Sequence, residues 1–304
     1  MRFRRLALAL FFSTIAFVTP AQAQSRAECG TMPSRILKRP MGYCALLPPS
    51  FDGSAPKFGQ VEKVRRFPIL YYLHGRGDNE QSLINSGAWS LIEDLRRQGK
   101  IGEFVIVTPQ GGTGFYVNSA DGKIRYSDFF LQEFMPFIEQ KYRIENSRAM
   151  RGVDGMSMGG YGALRFAFSR PDLFGSVSAH SAALLPEPSK SLNAAIRAGE
   201  PQAVMLAHVF GDPVDPVNWE KNSPFALAKK DPAGVRKLHI YFDCGDRDDF
   251  GFDRGATALD ELLTKEKIAH EFHLYPGGHD IPYFLSHITA SVDFFSQHLP
   301  ISAR

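Results

Sequence analysis

The segment Met150-Arg-Gly-Val-Asp-Gly-Met-Ser-Met-Gly-Gly-Tyr-Gly-Ala-Leu164 contains Gly155-Met156-Ser157-Met158-Gly159, a G-x-S-x-G sequence. Such a sequence forms a nucleophile elbow when a strand turns sharply into a helix and leaves the serine hydroxyl exposed on the turn. The glycines are a steric requirement. The serine backbone is forced into an unfavourable region, and a side chain at either flank would strike the neighbouring strand or helix. The five residues alone are a weak signal, because glycine and serine are common. Their flanks strengthen it: Ala149 to Val153 reads as a short buried strand, and Ala163, Leu164, Phe166, Ala167 and Phe168 read as a helix closed before Pro171. A Gly-rich loop without chemistry is the competing reading, and the strand–turn–helix context weighs against it.

Outward from the elbow, strand-like runs alternate with helical ones. Tyr43 to Leu47, Phe67 to Leu73, Phe104 to Thr108, Ser176 to Ala179, Leu238 to Phe242 and His270 to Tyr275 read as strands. Ser82 to Arg97, Asp128 to Tyr142 (with Pro136 a candidate kink), Arg254 to Lys267 and Tyr283 to His298 read as helices. This alternation predicts an α/β fold, a mostly parallel central sheet with helices on both faces. Residues 184–235 break the rhythm with Pro186, Pro188, Pro201, Pro213, Pro216, Pro224 and Pro232, and read as a cap-like insertion over the sheet. Long connections of this kind are usually functional.

The N-terminus carries a charged start with Arg2, Arg4 and Arg5, an apolar run from Leu6 to Val18, and the small-residue site Ala21-Gln22-Ala23. Residues 1–23 therefore read as a cleavable secretory signal peptide, with residues 24–304 as a single domain, secreted or periplasmic. The run is too short and too interrupted by Ser13 and Thr14 for a comfortable membrane span, and no later stretch is long and apolar enough for one. The formal net charge of +3 is supplied by those three arginines, so the remaining chain is neutral and has no basic footprint for nucleic acid. Three cysteines are present: Cys29 and Cys44 are the natural disulfide pair, and Cys244 reads as a buried small hydrophobe. No Cys/His spacing suggests a metal, and no cofactor is implied.

A serine hydroxyl needs a base to take its proton and an acid to orient that base. In the fold built on such elbows the partners follow in the order Ser, Asp or Glu, His. His279, in Pro276-Gly277-Gly278-His279-Asp280 after the last strand, is placed for the base. The acid lies in the turn after the strand ending at Asp243. Asp248 is chosen because three residues past Gly245 the loop has room to turn back, with Asp249 second and Asp246 third. The oxyanion hole needs two N–H donors: Met158 after the nucleophile, and Arg76 in the loop His74-Gly75-Arg76 after an early core strand.

Tyr-Leu-His-Gly-x-Gly-Asp (72–78), Gly-Met-Ser-Met-Gly-Gly-Tyr-Gly-Ala-Leu (155–164), Pro-Asp-Leu-Phe (171–174), Cys-Gly-x-x-Asp (244–248) and Pro-Gly-Gly-His-Asp (276–280) together resemble the esterase D, antigen 85 and feruloyl esterase-like family of α/β-hydrolases. The resemblance covers roughly residues 35 to 300. It implies the α/β-hydrolase fold, the triad Ser157, Asp248 and His279, and the Arg76 and Met158 amides. Two positions depart from the family pattern. Asp154 stands where a small or apolar residue is usual, and a carboxylate there needs a partner, Arg151 or another arginine. Arg76 stands where an apolar residue is frequent; lining the cleft it would favour an acidic or polar substrate, and a solvated guanidinium is the equal alternative. Tyr116, Trp89 and Trp219 are candidate substrate contacts, with core or loop packing the competing role of each.

The leading expectation is an exported serine carboxylesterase working through an acyl-enzyme on Ser157, on a small-molecule or carbohydrate-linked ester. An acyltransferase passing the acyl group to an alcohol or sugar is the alternative. A binding protein on a hydrolase scaffold is the third reading, and the presence of all three triad residues argues against it.

Overall fold

The computed structural model describes residues 25–51, 65–186, 190–199 and 201–300. The expected signal peptide, and part of the proline-rich stretch, lie outside these residues. In chain order the strands are β1 (Arg26–Ser34), β2 (Arg39–Leu47), β3 (Ile69–Leu73), β4 (Val105–Pro109), β5 (Arg151–Gly155), β6 (Ser176–His180), β7 (His239–Gly245) and β8 (Glu271–Tyr275). They form one sheet in the order β1-β2-β4-β3-β5-β6-β7-β8. The pairs β1–β2 and β2–β4 are antiparallel, and every pair from β4 onward is parallel.

The central strands read as continuous apolar runs because both faces are covered. In β3 the side chains still alternate. Ile69, Tyr71 and Leu73 enter the larger core, while Leu70 and Tyr72 enter the opposite, smaller one. On the smaller side lie α1 (Ser82–Asn85), α2 (Ala88–Arg97) and α12 (Ile281–Gln297), which supply Leu83, Ile92, Ile288, Val292 and Phe295. The expected single helix over Ser82 to Arg97 is broken at Gly87, whose φ of 86° ends one turn and starts the next. The larger core is roofed by α3 (Tyr126–Phe129), α4 (Met135–Lys141), α5 (Met158–Ser169) and α11 (Phe252–Lys265). Between α3 and α4 the helix runs as a π turn, Phe130–Phe134, ahead of Pro136, which has no N–H for the regular ladder. Phe130 stacks on Phe166 of α5, 4.5 Å between centroids.

The proline-rich stretch is helical rather than loop-like: α6 (Lys190–Arg197), α7 (Pro201–Phe210), α8 (Pro216–Asn222), α9 (Pro224–Lys230) and α10 (Pro232–Val235). Pro216, Pro224 and Pro232 each open a helix, one residue after Asp215, Ser223 and Asp231, whose side chains accept N–H bonds as caps. Phe225, Leu227 and Ala228 are core residues, so this part is built into the domain.

One strand escaped the sequence reading. β1 has no apolar run, yet all nine of its residues pair with β2, and Cys29 stands directly opposite Cys44 in a disulfide. Cys244 is a buried free thiol, as expected.

Candidate active site

The elbow sits at the C-terminal end of β5, in the middle of the sheet. Ser157 has φ 54° and ψ −118°, a strained backbone that the flanking glycines make possible. A Cβ on Gly159 would come within 1.8 Å of the Leu73 carbonyl oxygen, and one on Gly155 within 2.5 Å of the Gly159 carbonyl carbon. The Ser157 N–H donates to the His180 carbonyl at 2.8 Å.

The turn after β7 and the loop after β8 bring the other two residues to this point. His279 Nε2 lies 2.9 Å from Ser157 Oγ, and His279 Nδ1 lies 2.7 Å from Asp248 Oδ2. An ionised carboxylate only accepts, so Nδ1 carries the proton and Nε2 is free to accept from the serine hydroxyl. Burial alone would raise the Asp248 pKa; the His279 hydrogen bond and charge, with the N–H groups of Phe250 and Phe252, outweigh it and hold the carboxyl below its ordinary value. Asp246 instead accepts the Gly277 N–H at 3.0 Å. Three phenylalanine rings surround the His279 ring, each steeply inclined to it: Phe250 at 4.8 Å, Phe284 at 5.4 Å and Phe252 at 5.5 Å between centroids. Phe250 is 46 % exposed. No spacing signal in the sequence pointed to it.

The oxyanion loop is held from below. His74 is buried; its Nδ1 donates to the Gly75 carbonyl and its Nε2 accepts the Gly111 N–H, which defines a neutral tautomer, and burial lowers its pKa in the same sense. Tyr116 donates its hydroxyl to the His74 carbonyl and has no exposed surface. It therefore supports the loop and does not wall a substrate pocket. Trp89 packs on α2 against the smaller core, and Trp219 is buried against Phe210, so neither expected aromatic contact lies at the triad. The main-chain N–H groups of Arg76 and Met158 donate to no protein acceptor among the described residues, and the Arg76 side chain is exposed.

A second Ser–His–Asp set lies beneath the first. His180 Nε2 is 2.8 Å from Ser291 Oγ, and His180 Nδ1 is 2.8 Å from Asp243 Oδ2. Ser291 donates onward to Asp154 at 2.7 Å, and Asp154 also accepts the Gly155 N–H. Both sets join a serine, an imidazole and a carboxylate, but the direction of the bonds and accessibility separate them: the Ser291 hydroxyl donates to Asp154 and not to its histidine. Ser291, His180, Asp154 and Asp243 are each at most 1 % exposed, so no ester carbonyl reaches Ser291. This network answers the question of Asp154. Its partners are Gly155, Ser291 and, at 3.8 Å, His180, whereas Arg151 is taken by Glu139. Burial raises the Asp154 pKa, with His180, Ser291 and the Gly155 N–H acting against it.

Among the described residues no group of three or more His, Cys, Asp or Glu side chains is placed to hold a metal ion. A cleft of about 430 Å³ lined by Arg66, Glu139 and Arg151 lies at the opposite, N-terminal end of β5, away from any nucleophile.

Comparison with known proteins agrees with the geometry. An acetyl esterase of Caldicellulosiruptor saccharolyticus is 26 % identical over 266 residues, 87 % of this chain and 96 % of that protein. A solved ferulic acid esterase superposes with a TM-score of 0.73 at 26 % identity, covering 91 % of this chain and 100 % of that one. FphF, a fluorophosphonate-binding serine hydrolase of Staphylococcus aureus, has a TM-score of 0.72 at 20 % identity, over 90 % of this chain and 99 % of that one, a likeness of fold. The model of the esterase family described as "Putative esterase" matches residues 34–295, a span that includes the elbow, the Asp248 turn and the His279 loop. The chain belongs to this esterase family and has the α/β-hydrolase fold.

Proposed function

We propose that Ser157, His279 and Asp248 carry the ester hydrolysis of this serine hydrolase, with the Arg76 and Met158 N–H groups as the oxyanion hole. The observation that carries the reading is the continuous relay from Ser157 Oγ through His279 to Asp248, at 2.9 and 2.7 Å. His279 takes the serine proton as Oγ attacks the ester carbonyl. The developing oxyanion is met by the two N–H groups, and His279 then returns the proton to the departing alcohol. Water repeats the sequence on the acyl-enzyme and releases the acid.

The substrate class we favour is an acetyl or hydroxycinnamoyl ester of a carbohydrate. The names of the acetyl esterase and ferulic acid esterase support the acyl part of this class, as does the exposed ring of Phe250 beside the base. Export to an oxidising compartment is supported by the Cys29–Cys44 disulfide. The test is hydrolysis of p-nitrophenyl acetate, butyrate and octanoate and of methyl ferulate by wild type and Ser157→Ala. Turnover abolished in the variant supports the reading. Turnover that survives in Ser157→Ala overturns it.

A further inference from the structure

Ser157 and His279 are 122 residues apart and stand at the ends of different strands. Their reacting atoms must nevertheless be held at a fixed separation, since a misplacement of 1 Å is enough to cost about 100-fold in rate. A chain of buried polar contacts joins the two. Ser157 is anchored by its N–H on the His180 carbonyl, and the adjoining Gly155 N–H is anchored on Asp154. The imidazole of the same His180 binds Asp243. The other oxygen of Asp243 accepts the Tyr283 hydroxyl at 2.7 Å. The Tyr283 ring packs under Gly277, so closely that a Cβ there would come within 2.5 Å of it. The Tyr283 N–H caps on Asp280 at 2.8 Å. Gly277 and Asp280 bracket His279.

We infer that the buried Asp154–Ser291–His180–Asp243–Tyr283 cluster is a positioning device that sets the elbow serine against the catalytic imidazole. Every donor in it is used. His180 Nδ1–H serves Asp243, His180 Nε2–H serves Ser291, Ser291 O–H serves Asp154, and the Tyr241 and Tyr283 hydroxyls serve Asp243. Buried ionic clusters of this kind are often no more stable than apolar packing of the same shape. Its distinctive consequence is geometric, because one cluster touches both the β5 turn and the loop after β8. These are positioning residues, since none is exposed to substrate. The inference rests on Ser157 as the nucleophile.

The test uses Tyr283→Phe, which removes one hydroxyl and keeps the ring under Gly277, together with Asp154→Asn at the other end and the double variant. Fluorophosphonate labelling counts the active sites, and kcat for p-nitrophenyl acetate is expressed per labelled site. Each single variant is expected to lose about 10-fold in kcat with KM unchanged, and to label more slowly in the same proportion. Because both act on one tie, the double variant is expected to lose about 30-fold, short of the product of the singles. Unchanged kcat per labelled site with a lowered Tm would mean ordinary structural support and overturn the inference, as would strictly multiplicative losses. Failure of wild-type Ser157 to label would instead overturn the reading of the site itself, and the tie with it.

Discussion

The N–H of Ser157 donates to the carbonyl of His180, 2.8 Å away, while the side chain of that histidine belongs to a different and wholly buried Ser–His–Asp set. The molecule thus holds two serines that each hydrogen-bond a histidine, and only one is open to substrate. Ser157→Ala should lower kcat by about 10⁴-fold or more and abolish fluorophosphonate labelling. Ser291→Ala should still label at Ser157 and lose far less. Peptide mapping of the labelled serine distinguishes the two, and a label on Ser291 would reverse the assignment.

Asp248 fixes the His279 tautomer. In Asp248→Asn the amide can donate to Nδ1, which then accepts, and Nε2 is left holding the proton it should receive. A kcat loss of about 10³- to 10⁴-fold is expected, with KM little changed. Asp249→Asn should stay within about threefold of wild type, as expected for a surface change away from any special contact. Steady-state kinetics on p-nitrophenyl acetate check both, and equal losses would show that Asp248 is not the orienting acid.

The buried His180 gives stability a pH signature. Burial alone would lower its pKa; the charge and hydrogen bond of Asp243, aided by Asp154, outweigh that and push it up to about 9. A raised folded-state pKa contributes stability in full below the unfolded value of 6.5 and loses it as pH rises through about 9. The Tm of wild type should therefore fall between those pH values, and the fall should be absent from His180→Gln. Parallel Tm profiles for the two proteins would show that the imidazolium is not the source.

The Phe250 ring stands at 80° to the His279 imidazole, 4.8 Å between centroids, and is half exposed. Phe250→Ala should raise KM for methyl ferulate by about 10-fold, the size of a lost aromatic pair, and leave p-nitrophenyl acetate within about twofold. An equal effect on both esters would place the ring against the imidazole alone and remove it from acyl recognition.

The Cys29–Cys44 bond closes a separation of 15 residues at the outer edge of the sheet, far in strand order from β5 and β7. The double Cys29→Ser/Cys44→Ser variant should lose about 3 kcal/mol of stability while keeping its kcat at 25 °C. Denaturant unfolding measures the first and esterase assay the second.

The elbow, the order Ser157, Asp248, His279 and the parallel core strands could be read from the chain because each is a local pattern. A glycine spacing reports a turn, an apolar run reports a covered strand, and a turn after a strand reports the rim where ligands bind. The choice of Asp248 over Asp246 and Asp249 was argued from loop reach, and the structure places Asp248 on the imidazole. Other residues resisted such reading. β1 carries no apolar period because most of its side chains are exposed or only partly buried, and the prolines of 216, 224 and 232 looked like loop signals until their capping partners were placed before them. Tyr116 had the right loop address for a substrate contact but points into the core.

The sequence by itself determined the class of fold and singled out Ser157 and His279 as candidate nucleophile and base, since steric demands at a glycine-flanked serine and hydrophobic burial in parallel strands are written in neighbouring residues. Only the tertiary structure decided the partner of Asp154, the roles of His180, Asp243, Tyr283 and Ser291, and the approach of Phe250 to His279. Those residues are scattered from position 154 to position 291 without period or motif. Polar groups from separate elements meet because a buried donor must find an acceptor wherever the packed sheet brings one, and that requirement leaves no local trace in the chain.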